Sequence, residues 1–119
     1  MITPEQAAAF GREWIDAWNR HDLDAILAHY DEGVVFCSPF VAKLAGEPSG
    51  KIQGKARLRA YFAEALKKYP DLRLTDVRAH AGVSSLTLTY RSVANLFAAE
   101  VMTLDYAGRV IRVDAHYAP

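Results

Sequence analysis

Apolar residues at Ala7, Phe10, Trp14, Ala17 and Trp18 recur at helical spacing, while Arg12, Glu13, Asp16, Asn19 and Arg20 take the opposite face. Ahead of them Thr3-Pro4-Glu5-Gln6 supplies a start signal. The threonine can accept from the third helical amide, proline loses nothing at the first position, and Gln6 closes a capping box. The pattern predicts a helix to about Arg20 that buries both tryptophans. Asp22 is a good N-cap for a short second helix with Leu23, Ile26, Leu27 and Tyr30 on one face, ending before Gly33. A third stripe, Leu58, Tyr61, Phe62, Ala65, Leu66 and Tyr69, follows Gly54 and is stopped by Pro70.

Between the second and third helices, Val34-Val35-Phe36-Cys37-Ser38 has strand character and ends at Pro39. Residues 39–50 contain two Pro and two Gly and read as a loop with room for a short strand, of the kind that forms a lid or binding edge. Beyond Pro70, strand-like runs at 72–81, 84–93, 97–105 and 109–117 are separated by turn residues. Helices first and an antiparallel meander last predict an α+β class with the helices packed on one face of the sheet.

Alternation assigns the faces. Leu86, Leu88 and Tyr90 oppose Thr87, Thr89 and Arg91, and Ile111, Val113, Ala115 and Tyr117 oppose Arg112, Asp114 and His116. In the intervening strand Glu100 is in phase with Ala98, Met102 and Leu104. Either a carboxyl group points into an apolar interior, or Ala99, Val101 and Thr103 face inward and Glu100 is solvated. An interior carboxyl needs a partner or a proton, because burying it ionised and alone is very costly.

The 119 residues suit one domain, 1–119, with a core that needs no metal or disulfide. Fourteen Lys plus Arg balance fourteen Asp plus Glu, and the charges are scattered singly. That removes the electrostatic footprint of nucleic-acid or anionic-membrane binding and favours a small neutral partner. Cys37 is the single cysteine and reads as a packing residue. The first residues lack a basic and an apolar signal region, and no apolar run approaches a membrane span, so a cytoplasmic location is expected.

The order of parts resembles the nuclear transport factor 2-like superfamily, in particular its SnoaL-like and ketosteroid-isomerase-like members. The residues that carry the resemblance run from Trp14-Ile15-Asp16-Ala17-Trp18 to Ala25-Ile26, then through His29-Tyr30-Asp31-Glu32-Gly33 to Phe36. Gly54 and the run Glu100-Val101-Met102-Thr103-Leu104 to Val110 complete it, so that it spans essentially the whole chain. It implies a cone-shaped α+β fold in which three N-terminal helices lean on a strongly curved, mainly antiparallel sheet and leave a pocket. In steroid isomerases of that superfamily a first-strand aspartate moves the proton, while a helix-one tyrosine and a protonated late-strand aspartate stabilise the oxyanion. Carried over by position, the oxyanion acid falls on Glu100, the tyrosine on Trp14 and the base on Ser38. One supporting tyrosine is kept as Tyr30, and the other is replaced by Phe62. A serine cannot take up a substrate proton unaided near neutral pH.

His29, at the border of the second helix's stripe, is the natural substitute base, with surface placement as its alternative reading. His21 and His80 are expected to be exposed, and His116 with Asp114 lies on an outer sheet face suited to a homodimer contact. No metal motif is present, and neither metal nor cofactor is expected. The candidate catalytic set is therefore Glu100, Trp14 and His29. Ligand contacts are expected from Trp18, Tyr30, Phe36, Ser38 and Phe62, and from the inward strand positions Leu86, Leu88, Tyr90, Met102 and Tyr117. Few placed polar groups on a mostly apolar wall describe a ligand pocket. Two functions fit: an acid-base isomerase, dehydratase or cyclase acting on a hydrophobic carbonyl compound, or a non-catalytic binding or dimerisation module.

Overall fold

The chain, described over residues 1–119 by a computed structural model, opens with helix α1 (Pro4–Asn19). Thr3 accepts from the Gln6 amide at 3.0 Å while the Gln6 side chain accepts from the Thr3 amide at 2.9 Å, so the capping box forms as its residues require. Ala7, Gly11, Trp14, Ala17 and Trp18 form the buried stripe, and α1 lies across the far edge strand of the sheet. Gly11 makes that crossing close: a Cβ there would stand 3.4 Å from both Ala79 Cβ and Leu88 Cδ2.

Helix α2 (Leu23–Leu27), capped by Asp22, is shorter than its apolar pattern suggests. The reason is a competing ladder: the Val110 amide donates to the His29 carbonyl at 2.9 Å, and Tyr30 pairs with Val110. Strand β1 (Tyr30–Cys37) therefore begins four residues before the β-branched run. Residues 39–50 are also more ordered than a loop. They contain helix α3 (Pro39–Ala45), N-capped by Ser38 and ended by Gly46 in the left-handed region at φ 67°. Strand β2 (Lys51–Gln53) and helix α4 (Lys55–Lys68) follow. There are thus four α-helices rather than three.

The meander is β3 (Thr75–Ala81), β4 (Ser85–Arg91), β5 (Phe97–Leu104) and β6 (Val110–Ala118). The six strands run in the order β2-β1-β6-β5-β4-β3, and only β1 and β6 are parallel. Register irregularities in β1, β3 and the β5–β6 pair bend the sheet, as bulges do, into the curve that holds the helices. One of them corrects the expected phase of the last strand. Thr103 pairs with Arg112 but Leu104 with Val110, which leaves Ile111 as the extra residue. Val110 and Val113 are buried while Ile111 turns outward.

Candidate functional site

Glu100 sits mid-strand in β5, between Leu88 of β4 and Ala115 of β6, and points into the cone with 4% of its surface exposed. The phase shared with Ala98 and Met102, both buried, decides between the two sequence readings in favour of the interior. The Tyr90 hydroxyl donates to Glu100 Oε2 at 2.9 Å. No basic side chain forms an ion pair with this carboxyl. Burial lifts its pKa to about 7, with the Tyr90 hydrogen bond pulling the other way.

Four tyrosines surround this acid and respond to it. Burial, then the negative charge of Glu100, raise the hydroxyl pKa values of Tyr30, Tyr61, Tyr90 and Tyr117 above the ordinary range. All four hydroxyls therefore keep their protons. Trp14 Nε1 donates to the Tyr30 hydroxyl at 3.2 Å, and the Trp14 ring packs on Tyr90 at 5.2 Å. Trp18 meets Phe62 edge-on at 4.7 Å, and its buried indole N–H has no acceptor in the protein.

These groups line a cavity of about 80 Å³ whose wall is formed by sixteen residues, fourteen of them hydrophobic. Of the expected residues, the cavity brings together Glu100, Trp14, Trp18, Phe36, Phe62, Tyr90 and Tyr117. Others are absent from its wall. Leu86, Leu88 and Met102 are inward as expected but are consumed by the core between sheet and helices. Tyr30 is fully buried one layer behind, reached through Trp14. Ser38 is occupied in capping α3, accepting from the Phe40 amide at 3.2 Å.

His29 does not reach the cavity. The sheet ladder that ends α2 places it in the connection to β1, where its ring packs on Phe10 at 4.9 Å. Burial lowers its pKa, partly opposed by Glu13. His21, expected at the surface, is half-buried and bonds through Nε2 to the Leu72 carbonyl at 2.8 Å. His80 and His116 are exposed on the sheet. Cys37 lies half-buried beside Arg112, 3.6 Å from its guanidinium.

The wall residues that sequence reasoning did not assign come chiefly from α3 and the turn after α4: Phe40, Leu44, Tyr69, Leu72 and Leu74. Phe40 and Leu44 stand one helical turn apart, a signal legible once Ser38-Pro39 is read as a helix start and Gly46 as its stop.

A bent sheet closed by helices around one buried acid defines a cone-shaped α+β fold of the nuclear transport factor 2-like kind. Residues 11–118 match the SnoaL-like domain, and the chain belongs to that family. A SnoaL-like protein of unknown function from Burkholderia thailandensis E264 is 47% identical, with 99% of this chain and 98% of that one covered, at a TM-score of 0.95. A candidate ketosteroid isomerase from Kribbella flavida DSM 17836 is 22% identical, with coverage of 98% and 80% and a TM-score of 0.71. A candidate isomerase of the SnoaL-like family from Agrobacterium tumefaciens C58 is 15% identical, with coverage of 97% and 99% and a TM-score of 0.76. At the last two identities the likeness is one of fold. None of the curated proteins compared with this chain matches it. No helix is long and apolar enough to cross a membrane.

Proposed function

We propose that this chain is a cofactor-independent acid-base catalyst of the isomerase or lyase type, acting in the cytoplasm on a small hydrophobic carbonyl compound. The observation that carries the reading is Glu100: a carboxyl without a cationic partner, with a pKa of about 7, facing an aromatic cavity. Such a group holds and releases a proton near neutral pH, which is what general acid-base work requires. Glu100 as carboxylate removes a proton from the carbon beside the carbonyl and returns it at the same or a conjugated carbon. A tyrosine hydroxyl on the cavity wall, Tyr117 or Tyr61, keeps its proton and hydrogen-bonds the oxygen as charge develops there. Trp14 contributes a wall, since its N–H is engaged by Tyr30. With His29 outside the cavity, one carboxyl serves as both base and acid.

The same fold supports a homodimer through the outer sheet face, which no helix covers. There Thr87 pairs with Val101, Thr89 with Ala99, and Ala99 with His116, giving rows of mixed polarity suited to a twofold contact.

Deuterium uptake from D2O by an aromatic ketone such as butyrophenone, followed by proton NMR, tests the catalytic reading. Protein-dependent exchange beside the carbonyl should rise with pH through about 7 and vanish in Glu100→Gln. Saturable binding without exchange would favour the non-catalytic module. That second reading draws on the cavity's small volume, about 80 Å³, and on the internal Trp14–Tyr30 and Tyr90–Glu100 bonds.

A further inference from the structure

Helices α3 and α4 enclose an open groove on the protein surface that shares Leu44, Tyr61 and Ala65 with the wall of the Glu100 cavity. The groove and the cavity therefore adjoin at three shared side chains, one on α3 and two on α4. Around it stand four cations, Lys43, Lys51, Arg57 and Lys68, against two acids, Glu47 and Glu64. None of the four cations takes part in a salt bridge. In a chain whose formal net charge is zero, this is a local excess of positive charge.

Helix energetics do not account for it. Lys68 in the last turn of α4 suits the helix dipole, as does Lys43 in α3, but Arg57 lies in the first turn of α4. A cation there opposes the dipole, and no acidic residue in that turn offsets it. Lys51 is on neither helix. Lys68 also borders a second surface groove, with Arg73 and the acid Asp71, that shares Tyr69, Leu72, Ser92 and Val93 with the cavity wall. Cations thus outnumber acids in both surface grooves that share wall residues with the apolar cavity.

We propose that the ligand of the Glu100 cavity carries an anionic tail, a carboxylate or a phosphate ester, held in the α3–α4 groove by Lys43, Lys51, Arg57 and Lys68. This rests on the reading of the cavity as a site for a hydrophobic carbonyl compound and names that compound's class: an apolar keto body with an anion at its far end. The small cavity takes the reacting end, while the tail stays in water-accessible contact with flexible ammonium groups and the Arg57 guanidinium. Lysines serve this role as point charges that need no single geometry. Attraction of this kind speeds encounter and discriminates against neutral analogues, and it is weakened by salt.

The test compares butyrophenone with two analogues of the same body, 5-oxo-5-phenylpentanoate and 4-oxo-4-phenylbutyl phosphate, by titration calorimetry. At low ionic strength the anions should bind about ten-fold tighter than the neutral ketone, and the advantage should fall to about two-fold or less near 0.5 M salt. Whichever anion gains more identifies the tail. The affinity ratio should collapse toward one in Lys43→Glu and in Lys68→Glu, and should persist in Arg109→Glu, an exposed cation in the β5–β6 turn. Butyrophenone binding with no anionic advantage, or an advantage that survives both lysine reversals, overturns the proposal and leaves the proposed function standing. If none of the three compounds binds, the cavity reading fails and this one with it.

Discussion

Glu100 is the one buried carboxyl of the core and no cation pairs with it, so its charge is governed by desolvation against a single tyrosine hydrogen bond. Its pKa rises from 4.5 in an unfolded chain to about 7 in the fold. A raised folded value means that the native state holds the proton more tightly. The resulting stability is complete below about 4.5 and is lost progressively as pH climbs to about 7, a change of about 3 kcal/mol. Glu100→Gln keeps an acceptor for Tyr90 without the charge. It should therefore be more stable than the parent at pH 8 and close to it at pH 4.5, as urea unfolding at the two pH values would reveal. A large loss of stability at pH 8 would mean that the carboxylate is ionised and paired. His29 obeys the opposite sign. Burial lowers its pKa, so its contribution is present above 6.5 and is lost as pH falls through the folded value. Since its ring packs on Phe10 away from the cavity, His29→Gln should leave ketone exchange and its inflection near 7 unchanged. A fall in turnover of about a hundred-fold or more, the usual worth of a positioned base, would return it to the mechanism.

Among the elements, α1 meets the sheet at Gly11, where a methyl group fits but a larger side chain does not. Gly11 lies buried mid-helix, where glycine is less favourable than alanine by about 1 kcal/mol in an exposed helix. A Cβ at this position meets Ala79 and Leu88 at 3.4 Å, the near edge of ordinary contact. Gly11→Ala should accordingly be neutral or raise stability by up to about 1 kcal/mol. Gly11→Leu adds atoms that have no room and should cost about 1–3 kcal/mol through overpacking and displacement of α1. Thermal unfolding of the two variants separates the cases, and equal destabilisation by both would show that the backbones already touch. Helix α3 has the reverse character. It is short, framed by Pro39 and Gly46, and anchored by the fully buried Val41, while Phe40 and Leu44 face the cavity.

At the scale of the whole molecule, the helices cover one face of the six-stranded sheet and leave the other to solvent, with Phe97 53% exposed beneath the Arg91 guanidinium, 3.9 Å from its ring centroid. The proposed twofold contact would bury this face. Sedimentation at tens of micromolar should give the mass of two chains, and Phe97→Glu should shift the species toward one. A monomer at that concentration would remove the dimer from the account.

The hydrophobic pattern by itself determined the α+β class, the buried stripe of α4 and the inward phase of β4. These follow from local periodicity, whose physical basis is the repeat of the backbone. It also singled out Glu100 as an acid out of place, although alternation could not say which face was the interior. What the tertiary structure decided were the outcomes of competition between local and distant partners. The pairing of Tyr30 with Val110 shortened α2 and carried His29 away from the cavity. The extra residue at Ile111 reversed the phase at the start of β6. Alternation could not say which inward side chains reach the cavity: Tyr90 and Tyr117 stand on its wall, while Leu86, Leu88 and Met102 are buried away from it. Periodicity specifies a direction, but only the bend of the sheet and the seating of the helices set a distance.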